Sequence, residues 1–289
     1  MTTRRWSGEW AHPPGDRTPI VDVLVPTAGR VGELAVTLAG LASQDDPAFR
    51  VIVSDQSHDE PGWEHPSVSA MVRVLRAQGR DVRLLRHLPR RGLAEHRQFL
   101  LEQSSAAQVL FLDDDVWLEP GMLGRLHDAL TRLGCGFVGA AVQGLSYLAD
   151  DRPVERAPFV PWRGRVHPEQ IRRDSPEYDR WTLHNAANLT HLAAELDVRE
   201  GGWLAYKIAW VGGCVLYDRG ALEACGGFSF WRDLPTLHVG EDVAAEWQVM
   251  EQFGGAGILP SGAVHLEAPT TVPLRDVEAS DVLFASAKK

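Results

Sequence analysis

Four times in the first 115 residues a short apolar run ends abruptly on polar residues. Each run precedes a segment of helical periodicity, and this rhythm limits the fold more than any other feature of the chain. IVDVLVP (20–26) leads into GELAVTLAGLASQ, where Leu34, Leu38 and Leu41 share a helical face. RVIVSD (50–55) leads into SVSAMVRVLRAQG, with Val68, Met71, Val72 and Leu75 on one face and a stop at Gly79. DVRLLRH (81–87) leads into GLAEHRQFLLEQS, and Val109–Leu112 runs straight into Asp113, Asp114 and Asp115. Strands alternating with helices of this length predict βαβ units and a mainly parallel sheet. Strands that are apolar at successive positions predict a sheet covered on both faces.

In open α/β sheets, ligands bind beyond the carboxyl ends of the strands. Pro26–Arg30, Asp55 and Asp113–Asp115 all stand at such ends and are expected to share one crevice. Three adjacent carboxylates repel one another, and Asp is a poor strand residue. Either one Asp caps the following turn and the others are solvated, or a divalent cation relieves the repulsion, since Mn²⁺ and Mg²⁺ prefer hard oxygen ligands and in turn clamp phosphates.

Beyond a helix predicted at PGMLGRLHDALTRLG (Leu123, Leu126, Leu130 and Leu133), the rhythm changes. Residues 143–205 are irregular and rich in Pro, Arg and Trp, with some helix near 185–198, and read as an inserted, acceptor-facing region. Regular signals resume with a strand at KIAWVGGCVLYD, short and long helices at RGALEACGGF and GEDVAAEWQVMEQFG, and a strand pair in GAGILPSGAVHLEAP. The expected organisation is an N-terminal arm (1–18), which Trp6 and Trp10 could tie down, a single domain (19–269) and a solvated C-terminal tail (270–289).

The formal charge of −10 argues against a nucleic-acid partner, which would require a basic footprint. Three cysteines (Cys135, Cys214, Cys225) form no disulfide framework and no zinc spacing. No secretory leader and no apolar run long enough for a transmembrane segment is read, so the expected setting is cytoplasmic.

Five segments in order resemble the family-2 glycosyltransferases, whose domain has the GT-A fold. They are VDVLVPTAGR, VIVSDQS, RRGLAEHRQFLLEQSSAAQVLFLDDD with its Asp-x-Asp signature, RGALEACGGF, and the Glu-Asp of GED. The resemblance runs from about 20 to 268 and is weakest across 143–205. It implies a Rossmann-like nucleotide-binding sheet flanked by helices, and a metal-dependent, inverting transfer of a sugar from a nucleotide-diphosphate donor, UDP favoured. In the family's opening loop an aromatic and an Asn usually precede the Arg. Here Ala28 and Gly29 stand there.

Residue by residue, the resemblance makes Asp55 the partner of the base. Pro26, Thr27, Ala28, Arg30 and Arg91 line the nucleotide pocket, and Arg97 faces the diphosphate or orders the Asp cluster. Asp113 and Asp114 hold the ribose and metal side, with Asp115 and His265 as metal ligands. Asp242 is the expected base that takes the acceptor's proton, with Glu241 beside it. Gly212 and Gly213 either clear space for the donor sugar or mark a β-bulge. Trp210 and the other tryptophans offer faces for stacking or simply fill the core. The acceptor is unread: a saccharide, lipid carrier, peptide or small natural product. The rival readings are a nucleotidyltransferase acting on sugar phosphates, a hydrolase, and a non-catalytic carbohydrate-binding protein. A dinucleotide-dependent oxidoreductase fails, because no GxGxxG follows the first strand.

Overall fold

Every position of the strand Val21–Thr27 (β1) is buried, as is every position of Phe49–Asp55 (β2). Such strands require cover on both faces. Side chains alternate across a strand, and the alternation sorts them into two cores. Val21, Val23, Val25, Val51, Val53, Leu110 and Leu112 enter one, while Leu24, Ile52, Val109 and Phe111 enter the other. The computed structural model describes residues 7–11, 17–196, 198, 202–270, 272 and 275–284.

The first half follows the predicted alternation: β1, α1 (Val31–Ala42), β2, α2 (Pro66–Ala77), β3 (Val82–Arg86), α3 (Leu93–Glu102) and β4 (Gln108–Leu112). Then come β5 (Val116–Leu118), α4 (Met122–Leu133), β6 (Phe137–Gly139), β7 (Gln143–Gly144), α5 (Pro153–Arg156), α6 (Asn188–Glu195) and β8 (Leu204–Tyr206). The chain continues through β9 (Cys214–Asp218), α7 (Arg219–Ala224), α8 (Glu241–Phe253), β10 (Gly255–Leu259), β11 (Ala263–His265) and α9 (Ala279–Leu283).

The main sheet has the order β3-β2-β1-β4-β9-β6-β10-β8. Its first four strands are parallel throughout, whereas β9 runs antiparallel to both β4 and β6. Helices α1, α2 and α4 cover the first core, and α3, α7 and α8 the second. This is the expected α/β architecture: a mostly parallel sheet between helical layers. In β1 and β2, Thr27 lies opposite Asp55, so the loops that follow leave the sheet at one level.

A second sheet, β5-β11-β7, lies beyond the end of β4. It pairs His265 with Val116, which carries the histidine to the residue just after the Asp run. The strand pair expected in GAGILPSGAVHLEAP is thus split between two sheets, because β10 pairs with β6 and β8 while β11 pairs with β5 and β7. The strand expected over 207–218 begins only at Cys214. Gly213 takes φ +77°, a left-handed conformation that ends the extended run.

Residues 143–205 form short helices and strands that bury Val166, Ile171, Leu183, Leu189 and Leu192. The described part of the tail is not wholly solvated. Ala279 and Ser280 are buried, and α9 packs on α8. Arg173 from the 143–205 segment pairs with Asp281 at 2.5 Å and with Glu278. Residues 7–11 form a 3₁₀ turn in which Trp10 is exposed, and Trp6 lies outside the described residues.

Candidate active site

The loops after β1 and β4 meet through direct hydrogen bonds. Thr27 Oγ1 donates to Asp114 Oδ2 at 2.6 Å, and Arg30 Nη1 reaches Asp114 Oδ1 at 3.1 Å and Asp115 Oδ2 at 2.6 Å. From α1, Thr37 Oγ1 donates to the Asp114 carbonyl at 2.8 Å. Burial pushes the Asp114 carboxyl up to about 6 against these bonds. Asp115 is raised by burial and by the charge of Asp113. The carboxylates are thus gathered beside one cation, Arg30, whose own guanidinium is stabilised by them.

Asp113 turns the other way, toward α3. Arg97, buried on that helix, donates from Nη2 to Asp113 Oδ1 and from Nε to Glu241 Oε1, each at 2.9 Å. The two acids hold the guanidinium charged despite its burial. Glu241 and Asp242 begin α8, where carboxylates are favoured by the positive end of the helix. Asp242 accepts the Val243 amide at 2.8 Å. Burial, and then the charge of Glu241, push its carboxyl up to about 7.

One turn later on the same face, Glu246 accepts the Val211 amide at 2.8 Å and Trp247 donates to the Ala209 carbonyl at 2.9 Å. These two bonds fasten the 209–213 loop to α8. A Cβ on Gly212 would lie 3.1 Å from Asp242 Oδ2 and 2.9 Å from the Trp210 ring, so this glycine allows loop and carboxylate to approach. The Gly213 carbonyl accepts the Asp113 amide at 2.9 Å, which joins that loop to the end of β4. Trp210 stands edge-on to His184, with ring centroids 5.8 Å apart.

A cleft of about 200 Å³ opens beside this network. Pro26, Thr27, Ala28, Arg30, Asp113 and Asp114 line it, together with Gln56, Arg90, Gly92, His96 and His238, which sequence reading did not single out. Two residues expected at the nucleotide sit differently. Asp55 is buried, and its oxygens accept the amides of Ser57 at 2.5 Å and Gly62 at 2.6 Å, so it shapes the 56–62 loop and does not line the cleft. Its neighbour Gln56 does, with Nε2 buried and unpartnered. Arg91 is exposed and outside the lining, whereas Arg90 lines the cleft and donates to the Gln56 carbonyl at 2.6 Å. A polar residue next to each expected one was the available signal, and at the end of β2 adjacent side chains leave the chain on opposite sides.

His265 Nε2 faces Asp115 Oδ2 at 3.5 Å. Among the described residues no three carboxylate, imidazole or thiolate groups form a metal site by themselves. Asp115 and His265 could supply an oxygen and an imidazole ligand to a divalent ion such as Mn²⁺, with phosphate oxygens completing its shell. In the conformation observed, those groups are otherwise engaged. Arg30 takes Asp115, and the His265 Nδ1 accepts the Glu267 amide at 2.9 Å, which leaves the neutral ring's proton on Nε2.

The sequence model described as Glycosyl transferase family 2 matches residues 22–191. A search of curated proteins gives no match. Among solved structures, a mannosyltransferase of Pyrobaculum calidifontis, PcManGT, in complex with GDP-Man and Mn²⁺, is similar with TM-score 0.56 and 17% identity over 92% of this chain. S. aureus TarS 1-349 is similar with TM-score 0.52 and 17% identity over 85% of this chain. The same TarS fragment in complex with UDP-GlcNAc gives TM-score 0.51 and 16% identity over 87% of it. The chain spans 64% of the first of these proteins and 60% of each TarS fragment.

Proposed function

Because this chain belongs to glycosyl transferase family 2, we propose that it transfers a sugar from a nucleotide-diphosphate sugar to an acceptor nucleophile, with UDP as the favoured nucleotide. The observation that carries this reading is the Arg97 bridge. One guanidinium links Asp113, at the donor-side strand end, to Glu241, the residue before the expected base.

In this reading the nucleotide enters the cleft against Pro26, Thr27, Ala28 and Gln56, and its diphosphate meets Arg30 and Arg90. Asp115 and His265 would hold a Mn²⁺ or Mg²⁺ ion, which when bound acts as a Lewis acid on the leaving diphosphate. Gly212 and Gly213 do not open space for the donor sugar, because a Cβ there would meet Trp210 and Asp242, or Val142; they let the 209–213 loop pack closely beside Asp242.

Asp242 takes the proton of the acceptor hydroxyl as that oxygen attacks the anomeric carbon. A carboxyl raised to about 7 suits the task, since general bases work best with a pKa near the working pH. Glu241 and Arg97 position it. Attack from the face opposite the diphosphate inverts the anomeric centre. Trp210 and the 143–205 segment border the acceptor side.

Calorimetric titration of UDP, GDP and dTDP, with Mn²⁺ and with EDTA, tests the reading. Metal-dependent binding of one nucleotide is expected. A folded protein that binds none of them with metal present would overturn it.

A further inference from the structure

Arg30 makes three contacts that no single structural purpose requires. Nη1 bonds Asp115 Oδ2 and Asp114 Oδ1, and Nη2 reaches the Pro269 carbonyl at 2.5 Å, on the segment just after β11. Asp115 Oδ2 is also the atom that His265 Nε2 faces at 3.5 Å. The guanidinium and the pair of groups proposed to hold the divalent ion therefore share one carboxylate oxygen. Two cations on one oxygen stand within about 5 Å of each other, from ordinary coordination and hydrogen-bond lengths. At that distance, in a site where Asp115 is almost fully buried, like charges repel strongly.

Asp114 does not depend on Arg30 alone, because Thr27 donates to its other oxygen and Thr37 to its carbonyl. The Arg30 side chain also lines the cleft, so a diphosphate arriving there offers it a second set of oxygens.

We infer that Arg30 is an exchangeable counter-ion: it neutralises Asp114 and Asp115 in the empty site, opposes a divalent ion binding alone, and passes to the diphosphate when metal and nucleotide arrive together. This rests on the reading that the site binds a nucleotide with a metal. Linkage then sets opposite signs for the loss of Arg30, with metal alone binding tighter and nucleotide binding weaker. A simple structural clamp has no reason to give the first effect.

The test follows free Mn²⁺ by electron paramagnetic resonance as it is titrated with and without UDP into the wild-type protein and Arg30→Gln. Arg30→Gln is expected to bind Mn²⁺ alone at least about tenfold tighter than wild type, and UDP in the presence of Mn²⁺ about tenfold weaker. Equal or weaker binding of Mn²⁺ alone overturns the inference. Arg30→Met keeps an apolar stem and, like the glutamine variant, removes the charge. It reads the same way if the glutamine variant does not fold: tighter binding of Mn²⁺ alone supports the exchange, and equal or weaker binding refutes it. Wild-type protein that takes up no Mn²⁺ even with UDP fails the underlying reading as well. Wild-type uptake with UDP, but no gain in the variants, fails this inference alone.

Discussion

Arg97 Nη2 lies 2.9 Å from Asp113 Oδ1, and this bond ties helix α3 to the carboxyl end of β4. The same guanidinium reaches Glu241, so its loss would leave a buried acid unpaired. Arg97→Ala is expected to cost about 3–5 kcal/mol in chemical denaturation. Arg97→Lys keeps the charge but not the fork that reaches two acids. It should fold and bind UDP within about threefold of wild type, yet turn over a nucleotide sugar at least tenfold more slowly. Unchanged turnover in the lysine variant would remove the bridge from the mechanism.

As the proposed base, Asp242 should set the pH dependence of transfer. A base must be deprotonated to work, so with a pKa near 7 the rate should rise from pH 5, pass half its maximum near pH 7 and level off above about pH 8. Asp242→Asn should bind donor normally and lose roughly 10²–10⁴ in turnover, the usual worth of a general base. A wild-type profile that is flat from pH 5 to 8 would argue against the assignment.

Gly212 tests whether the loop positions that base. An added Cβ meets the Trp210 ring at 2.9 Å and Asp242 Oδ2 at 3.1 Å. Gly212→Ala should therefore displace one or both, with overpacking of about 1–3 kcal/mol and a larger loss of turnover than of UDP affinity. An equal loss of both would indicate general damage to the fold.

The first 115 residues were legible because each strand carries a short apolar run and each helix its own apolar face. The carboxyl-end rule then placed Thr27, Arg30 and Asp113–Asp115 together without knowledge of any contact. What escaped reading has physical reasons. Strands β5 and β7 are three and two residues long, too short to display a period, and the second sheet, in which they flank β11, exists only through pairing across the chain. The bond from Arg30 to Asp115 joins residues 85 apart. Whether Asp55 or Gln56 faces the cleft depends on a loop that folds back so that the Gly62 amide reaches the carboxylate. Glu246 did carry a signal, since it stands four residues after Asp242 on one helical face.

Gln56 offers a test with opposed signs. Its buried, unpartnered Nε2 is a cost in the empty protein and a donor available to a ligand. Gln56→Leu should leave the melting temperature unchanged or higher while weakening UDP binding about tenfold, the worth of one hydrogen bond to a buried site. Unchanged UDP affinity would show that the carboxamide does not reach the nucleotide.

Asp22 and Arg50 form the charge pair at the opposite, amino-terminal end of β1 and β2, 2.5 Å apart and both buried. The same Asp22 oxygen accepts the amides of Ser105 at 2.7 Å and Ala106 at 2.9 Å, so it also anchors the turn that enters β4. Asp22→Ala strands the Arg50 charge and two amides, and is expected to cost about 3–5 kcal/mol. For a chain of this size that corresponds to a melting temperature lower by about 10 °C. Replacing Asp22 and Arg50 together by apolar residues should cost less than Asp22→Ala, because no buried charge is then left alone. Because the pair lies at the far end of the strands, UDP affinity at low temperature should stay within about twofold in both variants. A UDP affinity that fell along with stability would mean that the register of β1 against β2 reaches from this pair to the Thr27 and Asp114 end of the sheet.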